Sequence, residues 1–164
     1  MPLEVLVPTV LIADDDADHR ELLSIALHRL GYQVVEAQDT SSAARAIAAG
    51  GLDAILLDVR MPGGSGVDLC RRLRADPATA TVPIMFVSAD VNGSRILDAL
   101  HAGADDYLTK PFHRAELGAR LENLLRPRSD IAGRSVAAAN AALLAVRGAI
   151  VRPITAETGL RRTA

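Results

Sequence analysis

The stretch Ala54-Ile55-Leu56-Leu57-Asp58 sets four consecutive apolar residues directly before an aspartate. A short run of this kind predicts a strand that is buried on both faces, as in a parallel sheet covered by helices on either side. The same pattern occurs upstream, where Val10-Leu11-Ile12-Ala13 precedes Asp14 and Asp15. The sequence therefore predicts two buried strands that both end in acidic residues.

Strand-like runs alternate regularly with helical patterns along the first 125 residues. The runs predict strands at residues 10–13, 33–37, 54–57, 83–87 and 107–109. The patterns predict helices at residues 18–30, 40–49, 67–75 and 93–102, and a last one that ends near Leu125. Five such units, joined by right-handed crossovers, predict an α/β fold: the flavodoxin-like (βα)5 doubly wound parallel sheet with strand order 2-1-3-4-5. The expected apolar stripe of the first helix comprises Leu22, Leu23, Ala26, Leu27 and Leu30.

Composition and length indicate one compact domain with an appendage. Of the 164 residues, 49% are hydrophobic and 23% are charged, which is typical of a globular protein. The single cysteine, Cys70, excludes an internal disulfide and fits a reducing compartment. The sequence contains neither a signal-peptide pattern nor a run of the roughly 20 apolar residues that a membrane span needs. We therefore expect a cytoplasmic protein without a membrane partner.

The distribution of charge divides the chain. Residues 126–164 contain seven arginines and two acidic residues, whereas the rest of the chain contains 11 basic and 18 acidic residues. The expected parts are an N-terminal extension at residues 1–8, a globular domain at residues 9–126 and a basic Ala/Arg-rich tail at residues 127–164. An apolar seam in the tail predicts a C-terminal helical extension near residues 135–151. This helix could pair in a homodimer, dock on the domain or belong to an output module.

Polar residues follow four of the predicted strands. In the predicted strand order, the carboxyl ends of these strands meet where such sheets bind their ligands. The residues that we expect to meet there are Asp14, Asp15, Asp58, Ser88 and Lys110. Three neighbouring carboxylates repel one another, and a divalent cation would remove the repulsion. Oxygen ligands without a nearby cysteine or histidine favour Mg²⁺.

The chemistry of this cluster favours phosphoryl transfer. A metal ion, a lysine and a hydroxyl group can together stabilise the spreading negative charge of a transferring phosphoryl group. A carboxylate can itself act as the nucleophile and form an aspartyl phosphate. Because Asp58 follows the central strand, we expect it to be that nucleophile.

Several motifs resemble those of the receiver domain of two-component response regulators, and they occur in the family's order from about residue 9 to residue 126. They are Asp14-Asp15, Asp58 with Met61-Pro62, Ser88-Ala89, Tyr107 and Lys110-Pro111-Phe112. The resemblance implies that Asp58 is the phosphoacceptor and that a sensor histidine kinase or a phosphotransfer protein supplies the phosphoryl group. It also implies a Mg²⁺ ion whose ligands are Asp14, Asp15, Asp58 and the backbone carbonyl of Arg60.

The resemblance implies further roles around the phosphoacceptor. Lys110 would pair with the bound phosphoryl group, Ser88 would hydrogen-bond to it, and Tyr107 would then rotate inward as the second switch residue. The small side chain of Ala89 would leave the site open to a donor. The peptide bond between Lys110 and Pro111 is expected to be cis.

The function that the resemblance implies is a signalling switch rather than an enzyme with a separate substrate. The signal would pass to a downstream protein through the surface formed by the fourth helix, the fifth strand and the fifth helix. Arg60 and Asp90 border the site and would tune the lifetime of the phosphoryl group.

Two other functions are compatible with some of the residues. A DNA-binding regulator could use the basic tail, but the tail is too short for an ordinary helix-turn-helix domain, so we do not expect nucleic acid as a partner. A haloacid dehalogenase-type phosphatase also uses an aspartate nucleophile and magnesium, and Asp16-Ala17-Asp18 offers an Asp-x-Asp pair. Residues 63–66 lack the Gly-Lys-Ser/Thr ending of a phosphate-binding loop, so we expect a flexible turn there. Four histidines have no metal-ligand spacing and are expected at the surface: His19, His28, His101 and His113.

Overall fold

The computed structural model describes residues 6–127. The strands are β1 (Thr9–Ala13), β2 (Gln33–Ala37), β3 (Ala54–Leu57), β4 (Arg60–Met61), β5 (Gly64–Ser65), β6 (Ile84–Ser88) and β7 (Asp106–Thr109). The helices are α1 (Ala17–Arg29), α2 (Thr40–Ala48), α3 (Gly66–Ala75), α4 (Gly93–His101) and α5 (Arg114–Leu125).

The five long strands form one parallel sheet with the order β2-β1-β3-β6-β7. The fourth and fifth strands expected from the sequence are β6 and β7, so the predicted order 2-1-3-4-5 is confirmed. In β1, Leu11 and Ala13 belong to an apolar core shared with α2, α3 and α4. Val10 and Ile12 belong to a second core shared with α1 and α5. Helices therefore cover both faces of the sheet, which explains why its three inner strands, β1, β3 and β6, are almost wholly apolar and buried.

Helix α1 begins one residue earlier than expected. Asp16 caps it, and its side chain accepts hydrogen bonds from the backbone N–H groups of Asp18 and His19. The expected apolar stripe is wrong at Leu22, whose side chain is 66% exposed, whereas Leu23 and Leu27 are buried. Since neighbouring helical residues point about 100° apart, the helix buries one of these adjacent leucines and turns the other toward solvent.

The segment between β3 and α3 differs from the flexible turn that the sequence suggested. Arg60–Met61 and Gly64–Ser65 pair as a small antiparallel hairpin, with Gly63 and Gly64 at positive φ angles of 80° and 149°. The hairpin leads into Gly66, where a Cβ atom would lie only 1.9 Å from the carbonyl oxygen of Asp58. Helix α3 can therefore begin this close to Asp58 only with glycine at its first position.

The predictions for residues 1–5 and for the tail from residue 128 onward, including the helix near residues 135–151, lie outside the described residues. Among the helices of residues 6–127, none is both long enough and apolar enough to cross a membrane.

Candidate functional site

The carboxyl edge of the sheet brings together the polar residues that were predicted to meet. Asp14 follows β1, Asp58 follows β3, Ser88 ends β6, and Lys110 follows β7. The Nζ atom of Lys110 lies 2.6 Å from Oδ2 of Asp14 and 3.5 Å from Oδ2 of Asp58. Asp15, Asp58, Ser88 and Lys110 line one open cleft. Four separate strands thus contribute to a single site.

Three carboxylates form the acidic part of this site. Asp14, Asp15 and Asp58 each offer an oxygen atom, and these atoms all lie within 4.8 Å of one another. Asp14 is buried, Asp58 is largely buried, and Asp15 is exposed. Burial raises the pKa of the Asp58 carboxyl group, the nearby ammonium group of Lys110 opposes this rise, and the carboxylate of Asp14 adds to it. The set of clustered oxygen atoms fits a hard divalent cation such as Mg²⁺, whose charge would stabilise all three carboxylates.

Lys110 is fixed from several sides. Its backbone N–H donates a hydrogen bond to the carbonyl oxygen of Ser88 (2.9 Å), and its peptide bond to Pro111 is cis, as predicted. Its Nζ atom also lies 3.1 Å from Nδ1 of His19. His19 lies at the surface, as predicted, with its side chain 43% exposed, but nothing in the sequence indicated this contact with Lys110. Helix α1 starts beside the end of β1, so its first turn carries this half-exposed imidazole back over the site.

Ser88 and Tyr107 both bond to the backbone of Asp90. The backbone N–H of Asp90 donates to Oγ of Ser88 (3.2 Å), and the hydroxyl group of Tyr107 donates to the carbonyl oxygen of Asp90 (2.7 Å). The side chain of Tyr107 is buried against Phe86, with ring centroids 6.2 Å apart. Burial raises the pKa of Tyr107 to about 12. Tyr107 therefore occupies an inward position rather than the rim of the site.

The carboxylate of Asp90 pairs with two arginines. Its Oδ2 atom lies 2.6 Å from Nη1 of Arg95 and 3.5 Å from Nη2 of Arg60. The hydrogen bond from Arg95 is the main cause that lowers the pKa of Asp90. Arg60 and Asp90 were predicted to border the site, but Arg95 was not. The signal in the sequence was a cation in the first turn of α4, an unfavourable position for positive charge unless an anion is near.

An apolar groove adjoins the cleft. Its walls are Leu22 and Ala26 of α1 on one side and Pro111 and Phe112 on the other, and Ala89 lies between it and the cleft. The exposed Leu22 thus lies at the edge of a concave apolar surface rather than on an isolated patch of the helix.

The family model for the response regulator receiver domain matches residues 10–122 of this chain. The phosphate regulon transcriptional regulatory protein PhoB of Pseudomonas aeruginosa is 44% identical over 118 residues, which are 72% of this chain and 52% of PhoB. The DNA-binding response regulator MtrA of Mycobacterium tuberculosis is 37% identical over 78% of this chain and 55% of MtrA. The chain thus spans about half the length of these relatives. Because MtrA is described as DNA-binding, the comparisons do not support our expectation that nucleic acid is no partner.

Solved structures agree with the family match. A two-component response regulator from Clostridium difficile has a TM-score of 0.69 and 31% identity, over 75% of this chain and 99% of that one. The receiver domain of a sensor histidine kinase from P. aeruginosa has a TM-score of 0.68 and 33% identity, over 73% of this chain and 98% of that one. The latter structure contains a magnesium ion coordinated in the active-site cleft. The chain therefore belongs to the response regulator receiver domain family.

Proposed function

We propose that this chain is a phosphorylation-operated switch in which Asp58 accepts a phosphoryl group from a histidine kinase or a phosphotransfer protein. The observation that carries the proposal is the position of the Lys110 ammonium group within a cluster of three carboxylates, 3.5 Å from Asp58. An oxygen atom of Asp58 attacks the phosphorus atom of the donor's phosphohistidine. The new P–O bond forms as the P–N bond breaks, and the electron pair of that bond stays on the donor nitrogen.

The residues around Asp58 would stabilise the charge of the transferred group. Mg²⁺ held by Asp14, Asp15, Asp58 and the carbonyl oxygen of Arg60 would neutralise negative charge on the phosphoryl oxygens. Lys110 supplies a second, fixed positive charge. It is the only lysine of the chain, so no other ε-amino group can replace it.

The same proposal assigns the conformational change to Ser88 and Tyr107. The hydroxyl group of Ser88 would move to hydrogen-bond to the phosphoryl group, and phosphorylation would favour the inward position of Tyr107 over an outward one. Ala89 lines the cleft with a single methyl group, so a donor side chain can approach Asp58. Arg60 and Asp90 would tune the lifetime of the aspartyl phosphate, because both carry charge at the cleft.

We propose that the switch spans residues 9–126 and acts through protein contacts. The donor would dock on the apolar groove between α1 and Phe112, which opens beside Lys110. The output surface would be formed by α4, β7 and α5, where Arg120 joins Asp106 to Glu116 through contacts of 2.8 and 3.2 Å. This surface would bind a downstream protein or a second copy of the chain.

A second candidate is a DNA-binding regulator. Two relatives favour it, since PhoB is a transcriptional regulatory protein and MtrA is a DNA-binding response regulator. Binding of duplex DNA that weakens with salt and is lost on cleavage at Arg126 would support it. The phosphatase alternative is weaker, because Asp16 of the Asp-x-Asp pair caps α1 with its side chain. It would require steady turnover of a small phosphate ester.

The proposed function is tested by phosphorylation of the purified protein with a small phosphodonor, with and without Mg²⁺. We expect a base-labile label on the wild type that depends on Mg²⁺ and is absent from Asp58→Asn. Asp68→Asn is the matched control, because this exposed carboxylate of α3 lies outside the cluster and its loss should leave labelling unchanged. Equal labelling of the wild type and Asp58→Asn would contradict the assignment of Asp58.

A further inference from the structure

The carboxylate of Asp90 is shared unequally by two arginines from different elements. Nη1 of Arg95, in the first turn of α4, makes a hydrogen bond of 2.6 Å to Oδ2. Nη2 of Arg60, from the hairpin after Asp58, lies 3.5 Å from the same oxygen atom. The other oxygen of Asp90 accepts from the backbone N–H of Asn92 (3.0 Å), which fixes the carboxylate in place. Arg95 therefore makes the closer contact with the carboxylate of Asp90.

Arg60 is held close to Asp58 by its backbone but only loosely by its side chain. Its backbone N–H donates to Oδ1 of Asp58 at 3.3 Å, and its side chain is 73% exposed. Within residues 6–127, the guanidinium group of Arg60 forms an ion pair only with Asp90. Arg60 also lines the cleft together with Asp58 and Lys110. Most of its five N–H donors are thus free to meet an anion that arrives on Asp58.

We propose that Arg95 is a positioning residue that keeps Arg60 available to the phosphoryl group on Asp58 by occupying Asp90. The inference rests on the proposed function of Asp58. Without Arg95, the carboxylate of Asp90 would lose its short hydrogen bond and would draw the guanidinium group of Arg60 into its place. Arg60 would then be engaged by Asp90 rather than by the phosphoryl oxygens, with which arginine forms strong, paired hydrogen bonds.

The test measures the affinity of beryllofluoride, a phosphoryl analogue that binds to a carboxylate, in the presence of Mg²⁺. We expect Arg95→Gln to weaken binding roughly two- to fivefold, the range that exposed ion pairs contribute. In an Arg60→Gln background, Arg95→Gln should have no further effect, because the residue through which it acts is gone. Arg95→Lys, which keeps the charge beside Asp90, should restore most of the affinity.

The matched control is Arg71→Gln. Arg71 pairs with Asp68 at 2.8 Å on the surface of α3, so this variant removes a comparable exposed ion pair away from the cleft. It should bind beryllofluoride as the wild type does. If Arg95→Gln also lowers the melting temperature, an Asp90→Asn background distinguishes a general loss of stability from an effect that acts through Asp90. There Arg60 is already released, and Arg95→Gln should again be without effect.

The outcomes separate this inference from the proposed function. Wild-type affinity in Arg95→Gln, or an equal loss with and without Arg60, would overturn the inference and leave Asp58 as phosphoacceptor. If the wild type and Asp58→Asn both fail to bind beryllofluoride, the proposed function falls, and the inference falls with it.

Discussion

The ammonium nitrogen of Lys110 lies 2.6 Å from Oδ2 of Asp14, although 96 residues of sequence separate them. Strands β3 and β6 stand between β1 and β7 in the sheet, so the lysine side chain reaches across the carboxyl edge to make this contact. Oδ2 of Asp58 is farther from Nζ, at 3.5 Å. Lys110 thus pairs first with Asp14, an acidic residue that is also a candidate ligand for a metal ion.

Lys110→Ala should increase the affinity for Mg²⁺. The ammonium group of Lys110 repels a divalent cation and forms an ion pair with Asp14. Its removal therefore leaves the carboxylate of Asp14 free to bind the cation. Unit charges about 4 Å apart interact by about 1 kcal/mol in water and by about 4 kcal/mol near a protein surface, so we expect at least about fivefold tighter binding. Isothermal titration calorimetry measures the dissociation constant of Mg²⁺ for the wild type and the variant. Arg114→Ala is the control, since it removes an exposed charge nearby without touching the cluster. Weaker binding by Lys110→Ala would contradict this account.

Asp58→Asn should stabilise the metal-free protein, and the gain should depend on pH. Burial raises the folded-state pKa of Asp58 above its ordinary value of 3.8. The folded state therefore holds this proton more firmly than the unfolded state, and stability decreases as the pH rises through the folded-state pKa. Asparagine removes that loss, so the gain in unfolding free energy should be largest at pH 7–8 and shrink as the pH falls toward 3.8. Urea unfolding at several pH values measures it.

The control for that measurement is Asp39→Asn. Hydrogen bonds from Ser42 lower the pKa of Asp39, so the charge there is favourable in the folded state. The same substitution should give no gain at any pH, and a gain equal to that of Asp58→Asn would show that burial of Asp58 is not the cause.

Gly66→Ala should destabilise the protein by about 1–3 kcal/mol, the usual cost of overpacking. The new Cβ atom would lie 1.9 Å from the backbone oxygen of Asp58, and a backbone atom cannot move aside alone. Because the clash falls on the backbone of Asp58, the proposed phosphoacceptor, phosphorylation should also slow. Gly118→Ala is the comparison. Its Cβ atom would meet the flexible end of Leu30 at 3.1 Å, and the helical position favours alanine, so its stability should change little. Urea unfolding of both variants checks the difference.

Tyr107→Phe should cost about 1 kcal/mol of stability, because it removes a buried hydrogen bond and leaves the carbonyl oxygen of Asp90 without that donor. Thermal or urea unfolding measures the loss. Tyr32→Phe should be nearly neutral, since the hydroxyl group of this partly exposed tyrosine makes no hydrogen bond within residues 6–127. Alkaline titration followed by tyrosinate absorbance adds a second check. The component near pH 12 should vanish only in Tyr107→Phe.

The fold was largely predictable from the sequence because its strands are short, apolar and followed by polar residues. The apolar runs ending at Ala13 and Leu57 gave the strands to within a residue or two, and topology then brought Asp14, Asp58 and Lys110 together. The hairpin of Arg60–Met61 and Gly64–Ser65 was missed because two-residue strands leave no periodic pattern. Leu22 was misplaced because adjacent leucines cannot both lie at the centre of a helical stripe.

Parts of the site could not be predicted because they depend on where helices begin relative to the sheet. His19 reaches Lys110 only because α1 starts within four residues of the end of β1. Arg95 reaches Asp90 because Asn92 caps α4 and turns its first residues back toward the cleft. Side-chain reach of this kind is a property of the assembled fold, whereas periodicity reports only which face of an element is buried.

The long separation between Asp14 and Lys110 has a consequence during protein synthesis. The ammonium group arrives with the last strand of the sheet, so a nascent chain on the ribosome carries Asp58 long before it carries the cation that completes the site. Fragments that end before β7 and copies in which β7 has come unpaired lack the same group. Under the proposed function, finished and intact molecules would draw phosphoryl groups from a donor more readily than such defective copies, which would compete for them less.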